Sequence, residues 1–239
     1  MSERVRICLV GASGLVGSAV IHACIGRTDV RLVAVARSEL DLPPGARMEV
    51  LVADPANWDD AIAAARPDVV VSCLGTTTKK VGGDEAAYRA VDHDLVLACA
   101  RWALAAGARQ FISVGSAMAD PHAKNFYLRM KGETEQALAK SGIPRLDLIR
   151  PGLLLGPRRE RRPGEDFAKL LAPLMPLVLH GSWRRFRPVH ADRLAEVILA
   201  LAHEKARGRF VHDHDAMQRA VRRRNLERSV SAARAKAVD

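Results

Sequence analysis

The 239-residue sequence predicts an α/β fold, with a doubly wound parallel sheet followed by a small C-terminal lobe. Up to residue 150, short apolar runs rich in β-branched residues alternate with segments of helical periodicity. Such alternation is typical of a parallel sheet that is covered by helices on both faces. Hydrophobic residues make up 49% of the chain, which is enough for a sizeable core.

The predicted elements follow one another in order. Strands are expected at residues 5–10, 31–36, 48–52, 68–74, 109–114 and 145–149, and helices at 15–25, 58–65, 84–106, 125–140 and 193–203. Beyond residue 151 the pattern loosens, although 209–211 suits a last edge strand. His190 and Asp192 suit the cap of the helix that starts at Arg193, since Asp is a favoured N-cap residue. We therefore assign residues 1–215 to one domain, whose small lobe spans about 151–215, and residues 216–239 to a basic tail that is helical or disordered.

A glycine turn follows the first predicted strand and opens the first predicted helix. Gly11 permits the tight turn, Gly14 lets the backbone approach a pyrophosphate, and Gly17 lets the helix pack close to the strand. The helix N-terminus, at Leu15 and Val16, adds free amides and the positive end of a dipole. Because the glycines lie between a strand and a helix, they predict dinucleotide binding in a Rossmann-type doubly wound parallel sheet; the alternative is a purely structural turn.

Arg37 follows the second predicted strand directly. NAD-selective sites usually place an acid there for the ribose hydroxyls, whereas an arginine suits the 2′-phosphate of NADP. Asp41 lies too far along the chain to replace that acid. A solvated surface arginine is the alternative, because charged residues at strand ends are usually exposed. We expect NADP(H) as the cofactor in preference to NAD(H).

Tyr127 and Lys131 are four residues apart in a predicted helix, and such residues share one face. An ammonium beside a phenol favours the phenolate, so the pair suits general acid–base catalysis. Lys131 can also hold the ribose hydroxyls of a nicotinamide, and Ser116, after the preceding strand, can orient a substrate oxygen. A chance pairing is the alternative, but the chain has only two tyrosines, which makes chance the poorer explanation.

Together these residues resemble the short-chain dehydrogenase/reductase superfamily, and more closely its atypical branch that contains the Tat-interacting, oxidoreductase-like proteins. The resemblance runs from about Arg4 to Glu165 and rests on segments 11–14, 73–77, 91–97, 127–133, 150–154 and 162–165. It implies an NADP-binding Rossmann domain with Tyr127 and Lys131 as the active pair. It also implies cofactor contacts from Ser13, Gly14, Arg37, Leu74, Gly75, Leu154 and Arg162.

Several of these positions lie at the carboxyl ends of predicted strands, where ligands bind in open parallel sheets. The strand-end positions are Gly11, Arg37, Asp54, Gly75, Ser116 and Pro151. We therefore add Asp54, Thr76 and Pro151 to the expected cofactor contacts. For Thr76 two roles stay open, contact with the nicotinamide ribose or closure of the turn.

The pattern departs from the superfamily in the spacing of its first glycine pair, although Gly11-x-x-Gly14-x-x-Gly17 is common in atypical members, and again after the fourth strand. Many active relatives carry an asparagine in the helix after the fourth strand to relay protons, and this chain has Asp92-His93-Asp94 in that region. The favoured function is an NADP(H)-dependent oxidoreductase acting on a carbonyl or an alcohol. A non-catalytic NADP(H)-binding regulatory protein is the alternative. A nucleotide-sugar epimerase or dehydratase is a third, weakened by the short C-terminal lobe, which leaves little surface for a sugar nucleotide.

Composition bears on the compartment and the partners. The four cysteines sit singly in apolar segments without a CxxC motif, which predicts buried reduced thiols in a cytoplasmic protein. No apolar run is long enough to cross a bilayer, and a strand begins close to the N-terminus, so neither membrane association nor a signal peptide is expected. A small-molecule substrate is the expected partner, and a homodimer stays open.

The net charge of +10 is concentrated in basic clusters at 158–162, 184–187 and 222–224. Such clusters could attract nucleic acid, but without a recognition motif a solvated face is the better interpretation. The tail after Ala216 has few large apolar side chains, so we expect it to add little stability. His212 and His214 resemble a metal pair on a strand, but no third ligand accompanies them and no metal is expected.

Overall fold

The computed structural model describes residues 4–77, 81–156, 184 and 186–236, and only the backbone of residues 231, 232 and 234–236. The strands are β1 (Val5–Val10), β2 (Val30–Ala36), β3 (Glu49–Val52), β4 (Val69–Ser72), β5 (Gln110–Val114), β6 (Arg145–Ile149), β7 (Leu154–Leu155), β8 (Val189–His190) and β9 (Gly208–His212). The helices are α1 (Leu15–Cys24), α2 (Trp58–Ala65), α3 (Glu85–Arg89), α4 (Leu95–Ala105), α5 (Phe126–Leu138), α6 (Ala191–Leu201) and α7 (His214–Lys236). A 3-10 turn at Pro55–Asn57 precedes α2, and a π turn at Ala90–Asp94 joins α3 to α4.

Seven strands form one parallel sheet in the order β3-β2-β1-β4-β5-β6-β9. The order reverses at β1, so the carboxyl ends of β1 and β4 border the crevice in which such sheets bind ligands. Strands β7 and β8 form a separate parallel pair. The predicted Rossmann-type α/β fold is confirmed.

Two apolar layers cover the sheet, one on each face. On one face α1, α6 and α7 pack together, as Val20, Ile198 and Val221 show. On the other face Trp58 of α2 and Cys99 of α4 pack with Phe111 of β5. This arrangement explains why the central strands are apolar at nearly every position, since each of their faces is buried.

The four cysteines are free thiols, as expected. Cys8 and Cys99 are buried in the sheet layer, and burial raises the pKa of the Cys8 thiol to about 12. Burial also raises the pKa of Cys73 to about 12. These thiols therefore stay protonated at neutral pH.

Two helix assignments from the sequence need correction. The segment 84–106 is not one helix, because the π turn interrupts it. Helix α6 begins at Ala191 instead of Arg193, with His190 in the N-cap position and no capping bond from its side chain. Asp192 consequently lies in the first turn of the helix, where its charge suits the positive end of the helix dipole.

The expected tail is a helix, and its first turns belong to the core. Helix α7 crosses the boundary predicted at residue 215, and Met217, Ala220 and Val221 are buried against the layer of α1 and α6. Arg224 reaches Asp29, with its Nη2 3.2 Å from Oδ2. The expectation that residues after Ala216 add little stability is therefore wrong for these two turns, because a few apolar side chains at helical spacing suffice to bury one face.

The basic cluster at 158–162, with Arg162, lies outside the described residues. Within the described part of the chain, no helix has the length and apolar character needed to cross a membrane.

Candidate functional site

The glycine turn between β1 and α1 is closely packed. Gly11 has a φ of +81°, in the left-handed region that favours glycine, and a Cβ atom there would lie 2.6 Å from the Cys73 carbonyl after β4. A Cβ atom on Gly17 would lie 2.3 Å from the Gly11 carbonyl oxygen. Both positions therefore admit no side chain.

The turn is open to a ligand on its outer side. Ser13 and Gly14 are exposed, and Gly14 occupies the N-cap position of α1 without a side-chain cap. Leu15 and Val16 begin the helix, so their amides belong to the first turn, where amides lack intrahelical partners. Exposed backbone, free amides and a helix dipole together fit the pyrophosphate of a dinucleotide.

Two predicted contacts lie beside this turn, at the ends of β2 and β3. Arg37 is exposed and follows β2, which pairs with β1 so that Val10 faces Val35. Its guanidinium can therefore reach a phosphate on the adenosine side of the turn. Asp54 is also exposed, but its Oδ1 accepts a hydrogen bond from the Ala56 amide at 2.9 Å and caps the 3-10 turn. The structure thus gives Asp54 a local role in addition to the predicted one.

Helix α5 carries the predicted proton-transfer pair. Asn125 caps the helix, its Oδ1 accepting a hydrogen bond from the Leu128 amide at 3.1 Å. Tyr127 is half-buried, and Lys131 Nζ lies 5.8 Å from the centroid of its ring. The helical spacing therefore brings the ammonium to the tyrosine, as the sequence predicts.

Asp92 connects this pair to the loop after β4. Its Oδ1 lies 2.7 Å from Lys131 Nζ, and both side chains are buried. Its Oδ2 accepts a hydrogen bond from the Thr76 amide at 2.7 Å. Sequence reasoning noted Asp92 only as a departure from asparagine and missed this ion pair. The acid at the first position of the Asp-His-Asp segment was the available signal.

Tyr88 of α3 closes the same cluster from the other side. Its hydroxyl donates a hydrogen bond to the Thr76 carbonyl at 3.1 Å. Its ring packs edge-on against the ring of Tyr127, with centroids 6.1 Å apart. Thr76 is therefore held at both its amide and its carbonyl, so its backbone closes the turn and only its side chain is left for a ligand.

Gly132 follows Lys131 directly and allows the preceding loop to lie against α5. A Cβ atom at position 132 would lie 2.2 Å from both the Asp120 carbonyl carbon and the Pro121 nitrogen. Any side chain there would displace the loop that runs from Ser116 to the helix. The sequence already indicated a close contact at this point, because a glycine directly follows the lysine of the predicted pair.

The remaining predicted residues lie around the ends of β5 and β6. Ser116 is half-buried just after β5, and Pro151 is buried and accepts a hydrogen bond from the Ala117 amide at 2.8 Å. Pro151 therefore braces the turn that carries Ser116. Leu154 lies in β7, and a Cβ atom on Gly156, two residues further on, would lie 2.9 Å from Leu15 Cδ1, so this segment returns to the start of α1.

A buried ion pair that the sequence did not predict lies behind this turn. Glu135 of α5 is almost wholly buried and pairs with Arg150, with Oε2 2.5 Å from Nη2. A Cβ atom at Gly115 would lie 3.0 Å from Glu135 Oε1. The pair ties α5 to the end of β6 and fixes the distance between the helix and the sheet.

The two histidines that resemble a metal pair belong to different elements of the fold. His212 ends β9, and its Nε2 donates a hydrogen bond to Asp147 at 2.8 Å. His214 begins α7. Because the strand ends between them, they do not share a strand face as the sequence pattern suggested.

Comparison with known proteins agrees with this geometry. Residues 11–166 match a family described as NAD(P)H-binding. The chain is 32% identical to the mitochondrial protein FMP52 of Eremothecium gossypii over 216 residues, which is 87% of this chain and 94% of that protein. It is 34% identical to the protein HTATIP2 of Rattus norvegicus over 174 residues, covering 71% of each chain.

Solved structures show the same fold at low identity. The Bordetella bronchiseptica enzyme WbmG in complex with NAD and UDP is similar with a TM-score of 0.65 and 18% identity, covering 88% of this chain and 73% of that one. The WbmH enzyme of the same organism, in complex with NAD+, is similar with a TM-score of 0.68 and 16% identity, covering 89% and 76%. At this identity the likeness extends to the fold alone.

The relatives correct the expected cytoplasmic location. Proteins about one third identical to this chain are named as mitochondrial. The cytoplasmic assignment rested on unpaired cysteines, and buried protonated thiols are compatible with more than one reducing compartment. Composition therefore could not distinguish between them.

Proposed function

This chain belongs to the NAD(P)H-binding family, and we propose that it is an NADP(H)-dependent oxidoreductase of the atypical short-chain dehydrogenase/reductase type, acting on a carbonyl or alcohol substrate. One observation carries the proposal. An unbroken series of contacts runs from Gly11 through the Cys73 carbonyl and the Thr76 loop to Asp92, and on to Lys131 and Tyr127. The glycine turn and the Tyr127–Lys131 pair are thus linked by direct contacts, which supports a single site that includes both.

Residues of the chain itself would have separate roles in the proposed reaction. A bound nicotinamide supplies or accepts the hydride. Tyr127 exchanges a proton with the substrate oxygen, and Ser116 orients that oxygen from the end of β5. Lys131 holds the ribose hydroxyls and remains close to the tyrosine ring. Burial of the lysine and of Asp92 excludes water from their side of the cluster.

The test of this function is Tyr127→Phe. The variant should retain cofactor affinity, because the ring still packs, and should lose turnover by about a hundredfold to ten-thousandfold, the usual contribution of general acid–base catalysis. NADPH oxidation would be followed by absorbance with a panel of aldehydes and ketones, and affinity by calorimetry. Lys131→Ala should lower both the cofactor affinity and the turnover. Lys140→Ala, at an exposed position just after the same helix, should change neither quantity. Full turnover by Tyr127→Phe would refute the acid–base role.

The cofactor preference is a separate prediction. We expect the unmodified protein to bind NADPH about tenfold to a hundredfold more tightly than NADH, since a charge-assisted hydrogen bond contributes roughly 1.5–3 kcal/mol. Arg37→Asp should abolish or invert this preference, as measured by titration calorimetry with both cofactors. Equal affinities in the unmodified protein would exclude a 2′-phosphate contact from Arg37.

A non-catalytic, NADP(H)-binding regulatory protein is the second candidate. The Asp92–Lys131 ion pair favours it, because the charge of the lysine is already engaged by a buried carboxylate. The position of Lys131 beside Tyr127, with Ser116 just after β5, supports the enzyme instead. We also infer a mitochondrial location, on the strength of the relatives' names.

A further inference from the structure

Helix α7 has an apolar stripe on the side that faces away from the core. Leu226 is 68% exposed and Val230 is 52% exposed. The two side chains are four residues apart, so they share one face of the helix. With about 3.6 residues per turn, this face lies on the far side of α7 from Met217, which is buried in the layer formed with α1 and α6. The stripe therefore takes no part in the packing of α7 against the core.

Arginines flank this stripe. Arg222 lies one helical turn before Leu226, and Arg219 and Arg223 form the neighbouring row on the same side. All three arginines are exposed, and Arg223 also forms an ion pair with Glu204. A cavity of about 590 Å³ on this side of the helix is lined by Arg219, Arg222, Arg223, Leu226, Glu227 and Val230. We refer to the three arginines together with Leu226 and Val230 as the outer face of α7.

The charge of α7 restricts what can cover this outer face. Residues 214–236 contain seven arginines and lysines against two acids, so this helix carries +5 of the chain's net charge of +10. A second copy of the chain would bring the same positive charge, which disfavours self-association through this face. The occupant that fits the outer face is therefore anionic.

Leu226 and Val230 distinguish between the possible anionic occupants. Nucleic acid attracts arginines through its phosphates, but a sugar-phosphate backbone leaves two exposed apolar side chains without a matching contact. A membrane that contains anionic lipids offers negative headgroups above an apolar layer, and basic helices with apolar side chains lie in that interface. Every residue from Asn225 to Val230 is exposed, so a flat surface can approach this end of the helix. The combination of charge and apolar surface favours the membrane.

We propose that the outer face of α7 docks the protein reversibly on anionic membrane surfaces. In this arrangement Leu226 and Val230 enter the boundary between headgroups and acyl chains, and the arginines extend their charged ends to the headgroups along apolar stems. The sequence predicted no membrane association because no apolar run is long enough to span a bilayer, but an interfacial helix lies on the bilayer and needs no such run. Two apolar side chains and three arginines give weak binding that salt reduces. The proposal does not depend on the proposed enzymatic activity.

Sedimentation with lipid vesicles tests this docking on the full chain. The unmodified protein should bind vesicles of phosphatidylcholine with about one third phosphatidylserine at low salt, bind them more weakly at about 0.15 M salt, and stay in solution with phosphatidylcholine alone. Leu226→Asn combined with Val230→Asn should lower the binding constant by about tenfold or more, because the apolar contact is lost. Arg222→Gln should lower it by about fivefold, the usual contribution of one arginine near an anionic surface.

Arg101→Gln is the matched control. Arg101 is exposed on α4, which covers the opposite face of the sheet, so this variant loses the same charge away from the outer face of α7. It should bind the anionic vesicles as the unmodified protein does. The altered side chains are all exposed, so every variant should unfold at nearly the same denaturant concentration.

Full vesicle binding by the variant that combines Leu226→Asn with Val230→Asn would overturn the proposal. Equal losses in Arg222→Gln and Arg101→Gln would also overturn it, because binding would then follow net charge alone. Absence of binding to the anionic vesicles at low salt would do the same and leave an acidic protein as the partner for this face. None of these measurements involves turnover of NADPH, so failure of the docking and failure of the proposed enzyme are distinguishable.

Discussion

Two buried carboxylates in this protein, Asp92 and Asp147, serve different purposes. Asp147 of β6 accepts hydrogen bonds from Arg145, Gln110 and His212, at distances of 2.7–2.8 Å, and all these partners belong to the sheet. Asp92 accepts a hydrogen bond from the Thr76 amide and forms an ion pair with Lys131, whose ammonium carries three N–H groups. The Asp147 cluster is satisfied by the framework, whereas the Asp92 cluster retains hydrogen-bonding capacity for a ligand.

The difference shows how position decides what a buried charge does. Asp147 lies within a strand, and its bonds join β5, β6 and β9 at one edge of the sheet. Asp92 lies in a turn beside the carboxyl ends of the strands, where parallel sheets bind ligands. Burial of one charge therefore fixes an edge strand, and burial of the other joins a lysine to the loop that follows β4.

The largest expected effect comes from Asp147→Asn. This variant leaves Arg145, which is 4% exposed, without its carboxylate, and breaking a buried pair costs about 3–5 kcal/mol. Chemical denaturation at neutral pH would measure the loss in the free energy of unfolding. A loss below about 1 kcal/mol would show that the pair does not hold the edge of the sheet and would break the comparison.

The loss of stability in Asp147→Asn should depend on pH. Burial opposes ionisation of Asp147, but hydrogen bonds from His212 and Arg145 outweigh it and hold the pKa of this carboxyl below its usual value. A depressed pKa gives stability that is present above the unfolded value, about 3.9, and is lost as the pH falls through the folded value. The difference between the unmodified protein and Asp147→Asn should therefore shrink below about pH 4. A difference in the free energy of unfolding that stayed constant below about pH 4 would contradict this expectation.

A smaller effect is expected from truncation of α7. Deletion after Met217 removes the buried side chains of Ala220 and Val221, which hold about four apolar carbon groups, and should cost about 3 kcal/mol. Deletion after Arg224 keeps both side chains and removes residues that are exposed through Val230, so it should cost less than about 1 kcal/mol. Thermal or chemical denaturation would compare the two. Equal stabilities would mean that burial of Ala220 and Val221 against α1 and α6 does not stabilise the fold.

The sequence predicts those parts of the site that depend on local spacing. Gly11, Gly14 and Gly17 lie on one turn, and Tyr127 and Lys131 lie one helical turn apart, so neither set needs long-range information. The Asp92–Lys131 pair could not be predicted, because it depends on a π turn and on how that turn packs against α5. The packing of helix His214–Lys236 against the core was missed for a related reason. Its composition is that of a solvated tail, and burial of a few side chains depends on the surface that α1 and α6 offer.

The layer formed by α1, α6 and α7 has a consequence for synthesis of the chain. Helix α1 carries the amides of the glycine turn and leaves the ribosome before α6 and α7, yet its Val20 belongs to the same apolar cluster as Ile198 of α6 and Val221 of α7. Until α6 and α7 emerge, the apolar face of α1 has no cover, and exposed apolar surface of this kind is prone to aggregation. Nascent chains arrested before α6 should therefore recruit chaperones and fail to retain a dinucleotide, although every residue of the glycine turn has already been made.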